Sequence, residues 1–188
     1  MKQGLRPLLD YTRGNFFAFF KLYDRAIAAH ETCVAVSPNR SETWRCLGFL
    51  YQQKGRTDDA IRAMEQALKL QPQDAVTHFN LGFVLHGQKQ LERALPHLEQ
   101  AVRLNPTLDR AWFGMGVIYN ARAEYDKAKP ALEEAARLQP MNPHAAYHLA
   151  VAYRALGEEE NFNHEYQRVR AFDPVMAQQF RHHFGLPA

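Results

Sequence analysis

The sequence predicts an all-α solenoid of five tandem helix–turn–helix repeats, closed by a short C-terminal capping helix. Three series with a common period carry that prediction. Prolines stand at Pro38, Pro72, Pro106, Pro140 and Pro174, glycines at Gly14, Gly48, Gly82 and Gly116, and alanines at Ala26, Ala60, Ala94 and Ala128. Each step is 34 residues. A fixed period of about 20–50 residues marks a repeat architecture, in which each unit buries its apolar face only against its neighbours. The next glycine step lands on Ala150, and Phe162 breaks the alanine series.

The elements follow in order from this frame. Residues 1–6 are read as a lead-in, and the repeats as 7–40, 41–74, 75–108, 109–142 and 143–176 of one domain. Residues 177–188 are read as the cap. In the first repeat Asp10 and Arg13 occupy expected apolar positions, as befits an end unit with one face unneighboured. In the second, Trp44, Leu47, Gly48 and Tyr51 make one helical stripe and Ala60, Met64, Ala67 and Leu68 another. Lys54-Gly55-Arg56-Thr57 is the turn between them. Gly48 and Ala60 are small because the two helices cross closely there. Pro72 ends the second helix, since it cannot extend the hydrogen-bond ladder.

The third and fourth repeats carry the same pattern, with His78 where Trp44 and Trp112 stand. Pro96 and Pro130 fall inside their second helices, so those helices are expected to start late or to bend. Ser41, Asp74 and Asn142 are expected N-caps, and Pro143 suits a first helical position. The fifth repeat has Ala150 for glycine and Phe162 for the small alanine. Phe180 and Phe184 are expected to cover it.

Trp44-x2-Leu47-Gly48-x2-Tyr51, followed by Ala60, Met64, Ala67 and Pro72, resembles the tetratricopeptide repeat. Leu81, Gly82, Ala94, Leu98, Ala101 and Pro106 continue the resemblance, as do Trp112, Met115, Gly116, Tyr119, Ala128, Leu132, Ala135 and Pro140. It extends over residues 7–176. It implies a right-handed superhelix whose first helices line a concave surface used to bind other proteins. It names no particular partner.

The inner wall then carries two features. Phe49, Phe79, Phe83, Phe113, Val117, Tyr147 and Val151 form an apolar ladder, which reads either as a trough for a partner's helix or peptide or as core between adjacent repeats. Arg45, Arg110 and Arg154 share the face with Asn80, Asn120 and a single acid, Glu42, a set suited to carboxylates or backbone amides. Arg45, Asn80 and Arg110 stand at three of the five slots of the carboxylate clamp found in some tetratricopeptide domains. Phe49 and Gly114 hold the other two and cannot donate side-chain hydrogen bonds, so a full clamp is not expected. The expected partner is an apolar, partly acidic peptide or helix of another protein.

Composition narrows the function classes. The 188 residues are 46% hydrophobic and 23% charged, an ordinary globular balance. The net charge of +3 combines 23 basic and 20 acidic residues interleaved in every repeat, which argues against nucleic acid. Two cysteines, Cys33 and Cys46, make no disulfide framework and suit a reducing compartment. Asp10 and Arg13 interrupt any leader-like apolar run, and no run reaches the length of a membrane span. A cytoplasmic protein is expected, and the Asn39-Arg40-Ser41 sequon is read as incidental.

No HExxH, Walker, GxSxG or kinase pattern occurs, so catalytic residues, cofactors and metals are not expected. Gly114-Met115-Gly116 lies within a repeat helix and lacks a third glycine. His144 with His148, and His182 with His183, lack a third ligand. Glu158-Glu159-Glu160 opens a helix, where its charge suits the positive end. The leading role is therefore a non-enzymatic scaffold or adaptor. The alternative is a structural subunit or assembly factor that self-associates through Leu8, Leu9, Phe16, Phe19 and Phe20.

Overall fold

A computed structural model describes residues 6–186. Among them are eleven helices and no strand: α1 (Arg6–Phe19), α2 (Tyr23–Val36), α3 (Ser41–Gln53), α4 (Thr57–Leu70), α5 (Ala75–Gly87), α6 (Leu91–Leu104), α7 (Asp109–Ala121), α8 (Tyr125–Leu138), α9 (Pro143–Ala155), α10 (Glu159–Phe172) and α11 (Pro174–Phe184). The fold is an all-α helical repeat solenoid. The chain divides into two compact halves, one ending at Leu104 and the other beginning at Asn105. The N-terminal half holds three hairpins, α1–α2, α3–α4 and α5–α6. The C-terminal half holds α7–α8, α9–α10 and the capping helix α11. The expected lead-in, apart from Arg6, and the last two residues of the expected cap lie outside the described residues.

Four of the hairpins are locked where a glycine lets their helices cross closely. A Cβ added at Gly48 would meet Met64 Cγ at 2.6 Å, and one at Gly82 would meet Leu98 Cγ at 2.8 Å. Leu132 lies against Gly116, and the ring of His30 against Gly14, in the same relation. The glycines therefore admit a bulky side chain four residues beyond the alanine series. Ala26, Ala60, Ala94 and Ala128 are all fully buried beside those contacts.

The turns share a backbone feature that the sequence does not display. Lys21, Gly55, Lys89, Ala123 and Gly157 all adopt the left-handed conformation, with φ between 56° and 75°. They are one repeat apart. The next amide then reaches back to the helix end, as in Arg56 N–H to Tyr51 O (2.8 Å), Gln90 N–H to Leu85 O (3.0 Å) and Glu158 N–H to Tyr153 O (2.9 Å). Such a residue satisfies carbonyls that the helix end leaves open.

Some expected details differ. α6 and α8 begin in register with α4, so Pro96 and Pro130 neither delay nor end them. Both prolines are exposed, as are Glu92 and Asp126 one turn earlier, so the carbonyls deprived of a donor face water. Ser41 is not a cap: it begins α3, and its hydroxyl donates to Gln71 Oε1 at 2.9 Å. Asp74 and Asn142 do cap, accepting from Val76 N–H (3.1 Å) and His144 N–H (3.0 Å).

The signature tryptophans act at helix starts. Trp44 Nε1 donates to Pro38 O at 2.8 Å and Trp112 Nε1 to Pro106 O at 2.9 Å. His78 Nε2 stands 3.0 Å from Pro72 O, and His78 Nδ1 lies 3.0 Å from His97 Nδ1 on α6.

The cap starts earlier than residue 177. Pro174 opens α11, and Asp173 Oδ1 accepts Met176 N–H at 2.9 Å. Phe180 is fully buried against Tyr147 (centroids 5.3 Å apart), and Phe184 lies 4.9 Å from the buried Phe162. The large Phe162, which breaks the alanine series, thus fills space between α10 and the cap.

Candidate functional site

The alternation of stripes on the first helices sends some side chains away from the hairpin core. On α3, Leu47, Leu50 and Tyr51 are buried, while Arg45 and Cys46 are half-exposed and Phe49 is 46% exposed. On α5, Leu81 and Leu85 are buried, whereas Val76 and Phe83 are 43% and 46% exposed. In the N-terminal half these outward faces enclose a recess of about 360 Å³. Arg45, Phe49 and Asn80 of the expected site line it, with Asn15, Cys46 and Val76. Phe79 and Phe83 lie on α5 with ring centroids 6.1 Å apart.

Arg45 is not a free cation. Its Nε lies 3.5 Å from Asp74 Oδ2, the carboxylate that also caps α5 and accepts the Thr77 hydroxyl at 2.7 Å. The guanidinium is thereby oriented toward the start of α5. Burial raises the Cys46 thiol above its ordinary pKa, against the pull of Arg45 in the other direction. That thiol is a packing group, with Asn15 Oδ1 at 3.8 Å.

His30 also lines the recess and was missed by the sequence reading. Its ring is fully buried and neither nitrogen has a hydrogen-bond partner among the described residues. Tyr11 packs edge-on at 5.6 Å. Burial lowers its pKa from 6.5 to about 4, so the ring is neutral at pH 7. The signal was available: His30 stands in the column of Met64, Leu98, Leu132 and Tyr166, where it is the one member whose side chain ionises near neutral pH.

In the C-terminal half the expected residues take different surroundings. Phe113 is half-buried with its ring 5.6 Å from that of His148, whose carbonyl accepts Asn120 Nδ2–H at 2.8 Å. Val117 is half-buried and Arg110 exposed. Tyr147 packs under α11, beside Phe180, His183 and Phe184, as part of the capped end. Arg154 turns to Glu159, with Nη1 at 2.7 Å from Oε2, and its guanidinium sits 5.1 Å over the Phe162 ring. The picture of three arginines facing one acid therefore does not survive: Arg45 and Arg154 each have a carboxylate supplied from another element.

At the N-terminal end Leu8, Leu9, Phe16, Phe19 and Phe20 are all exposed, Phe19 at 81%. Phe16 and Phe19 flank Phe20, at 4.9 and 5.2 Å between centroids. No helix among the described residues is long and apolar enough to cross a membrane. Nor do those residues contain a group of three or more His, Cys, Asp or Glu side chains placed to hold a metal.

Comparison with known proteins agrees with this architecture. Tetratricopeptide repeat models match residues 39–107 and 113–174. No curated protein sequence matches the chain. A crystal structure of MamA aligns with a TM-score of 0.83 at 23% identity, covering 93% of this chain and 96% of that one. MamA 41-end from Desulfovibrio magneticus RS-1 aligns at 0.78 and 22%, covering 89% and 97%. YrrB, described as a TPR protein with an unusual peptide-binding site, aligns at 0.82 and 21%, covering 92% and 90%. At these identities the structural likeness is one of fold. With the two sequence matches, it makes this chain a member of the tetratricopeptide repeat family.

Proposed function

We propose that the chain is a non-enzymatic adaptor that holds a peptide or helix of a partner protein against the outward faces of its first helices. The tetratricopeptide fold is a protein-interaction scaffold. The observation that carries the finer reading is the recess lined by Arg45, Phe49 and Asn80, with two exposed phenylalanines on neighbouring helices. Half-exposed aromatics beside an oriented guanidinium suit an apolar side chain flanked by a carboxylate. YrrB, with its peptide-binding site, is a precedent of similar fold. A groove-bound segment of this kind typically reaches micromolar affinity, about −8 kcal/mol.

The test compares wild type with the Phe49→Ala/Phe83→Ala variant, each used to capture partners from lysate of the source cells. Circular dichroism establishes equal folding. Loss of the same captured proteins from the variant supports the groove. An unchanged set at equal folding removes it as the site.

A second reading rests on the exposed Phe16, Phe19 and Phe20. It makes the chain a subunit or assembly factor that self-associates through α1. Multi-angle light scattering at high concentration should then show a mass that falls to monomer in Phe16→Ser/Phe19→Ser. A wild-type monomer argues against it. Cys33 and Cys46, which form no disulfide with each other, suit the cytoplasmic location proposed for either role.

A further inference from the structure

We infer that the crevice between α10 and α11 is a second docking site, for an acidic segment of a protein partner that carries an apolar side chain among its carboxylates. The crevice has a volume of about 500 Å³ and lies wholly within the C-terminal half. Arg170, Gln167 and Tyr166 line it from α10, and Arg181, Ala177 and Leu186 from α11 and its end. No acidic residue lines it.

The acids nearest to the two guanidiniums along the chain, Glu165 and Asp173, are committed elsewhere, as are Glu158 and Glu159 at the start of α10. Glu158 holds Lys129 at 2.7 Å and Glu159 holds Arg154 at 2.7 Å. Glu165 pairs with Arg168 on the same helix, and Asp173 caps α11. Neither Arg170 nor Arg181 has an ion pair among the described residues. Arg168 shows the contrast, since it lies on α10 like Arg170 yet is paired.

The walls are built rather than incidental. Gly185 adopts the left-handed conformation at φ 65°, and Leu186 N–H returns to Arg181 O at 3.0 Å. That closure carries Leu186 back to the crevice beside Arg181. The Tyr166 ring packs 6.0 Å from the buried Phe180, which fixes the opposite wall. Two forked cations beside Leu186 and Ala177 therefore select carboxylates next to an apolar group.

Charge also selects the class of partner. The fifth repeat holds Arg154, Arg168 and Arg170 against Glu158, Glu159, Glu160, Glu165 and Asp173, a net charge of −2. A phosphate backbone needs a row of cations along its path, and the crevice offers only two among its lining residues. A short acidic protein segment needs only the two arginines. This site is separate from the recess lined by Phe49, which belongs to the other half, so either proposal can fail without the other.

The experiment titrates the full chain against a short fluorescein-labelled peptide of alternating Glu and Leu, read by fluorescence anisotropy. Saturable binding is expected, weakened about tenfold or more in Arg170→Gln/Arg181→Gln. It should be unchanged in Phe49→Ala/Phe83→Ala and lost when the peptide's Glu is replaced by Gln. The charge-reversed chain, Arg170→Glu/Arg181→Glu, should instead take a Lys–Leu peptide. The proposal is overturned if no saturable binding occurs or if binding follows Phe49 and Phe83 rather than the arginines. It is equally overturned if charge reversal does not switch the preference, or if anionic phosphatidylserine vesicles bind through the arginines and the Glu–Leu peptide does not.

Discussion

The two ends of the chain use the same side chain in opposite ways. At the N-terminal end Phe16, Phe19 and Phe20 cluster with one another and stay exposed. At the C-terminal end Phe162 and Phe180 are fully buried, with Phe184 packed on both. The difference comes from one extra helix. Asp173 and Pro174 start α11 immediately after α10 ends at Phe172, so the chain folds back over its own last hairpin. An end sealed in this way contributes stability. An end left aromatic and open is a surface, which is why the second functional reading attaches there.

The largest expected effect tests that contrast directly. Phe180→Ala should destabilise the protein by about 3–5 kcal/mol, because it empties a buried aromatic site. Phe19→Ala should change stability by no more than about 0.5 kcal/mol, since most of its ring already meets solvent. Urea unfolding of both variants measures this. A comparable loss in Phe19→Ala would mean that the N-terminal aromatics are core, and the contrast would fail.

A second expectation concerns His30 in the N-terminal half. Its folded-state pKa of about 4 lies below the ordinary 6.5, so the unfolded chain binds the proton more readily. Stability is therefore full above about pH 6.5, declines as pH falls, and levels off near pH 4. The total loss is roughly 3 kcal/mol. His30→Leu should flatten that part of the profile and raise stability at pH 5 by about 1–3 kcal/mol, as it also removes two buried unpaired nitrogens. Thermal melts between pH 4 and pH 8 decide it. An unaltered slope in the variant would show that other groups titrate there.

Within the internal hairpins, Gly82→Ala should cost about 1–3 kcal/mol, because the new methyl meets Leu98 at its branch point. Gly87→Ala, where a Cβ meets nothing within 4 Å, serves as the control. The smallest effect is at the turns. Lys89→Gly and Ala123→Gly should each stabilise by about 0.5–1 kcal/mol by relieving a left-handed conformation that a side chain disfavours. If both substitutions destabilise, the gain in unfolded-chain entropy outweighs that relief.

The period made most of the fold legible. Proline and glycine columns located the hairpins, and Asp74 and Asn142 marked true helix starts. The left-handed column was hidden because only Gly55 and Gly157 carry the residue that announces it. Lys21, Lys89 and Ala123 adopt the same backbone under the demand of the hairpin closure. The apolar side of the candidate site was legible from helical spacing, since Phe49 and Phe83 fall opposite the buried stripes. Its charge state was not. Arg45 is partnered by Asp74, 29 residues along the chain, and which acid reaches which arginine is set by how neighbouring helices pack. The same limit applies to Tyr147, whose covering residues belong to the next helix but one.

His78 shows what the repeat requires at its most recognisable position. The tryptophans there supply one N–H aimed at a proline carbonyl, and an imidazole delivers the same bond at nearly the same length. The other nitrogen of that ring, Nδ1, faces His97 Nδ1 across a 3.0 Å gap, where one of the two carries the proton. The indole is thus exchanged for a pair of rings that bridges α5 and α6. The family's letters are shorthand for a donor at a given place and a volume to fill. This chain spells the donor differently in its third repeat and keeps the fold.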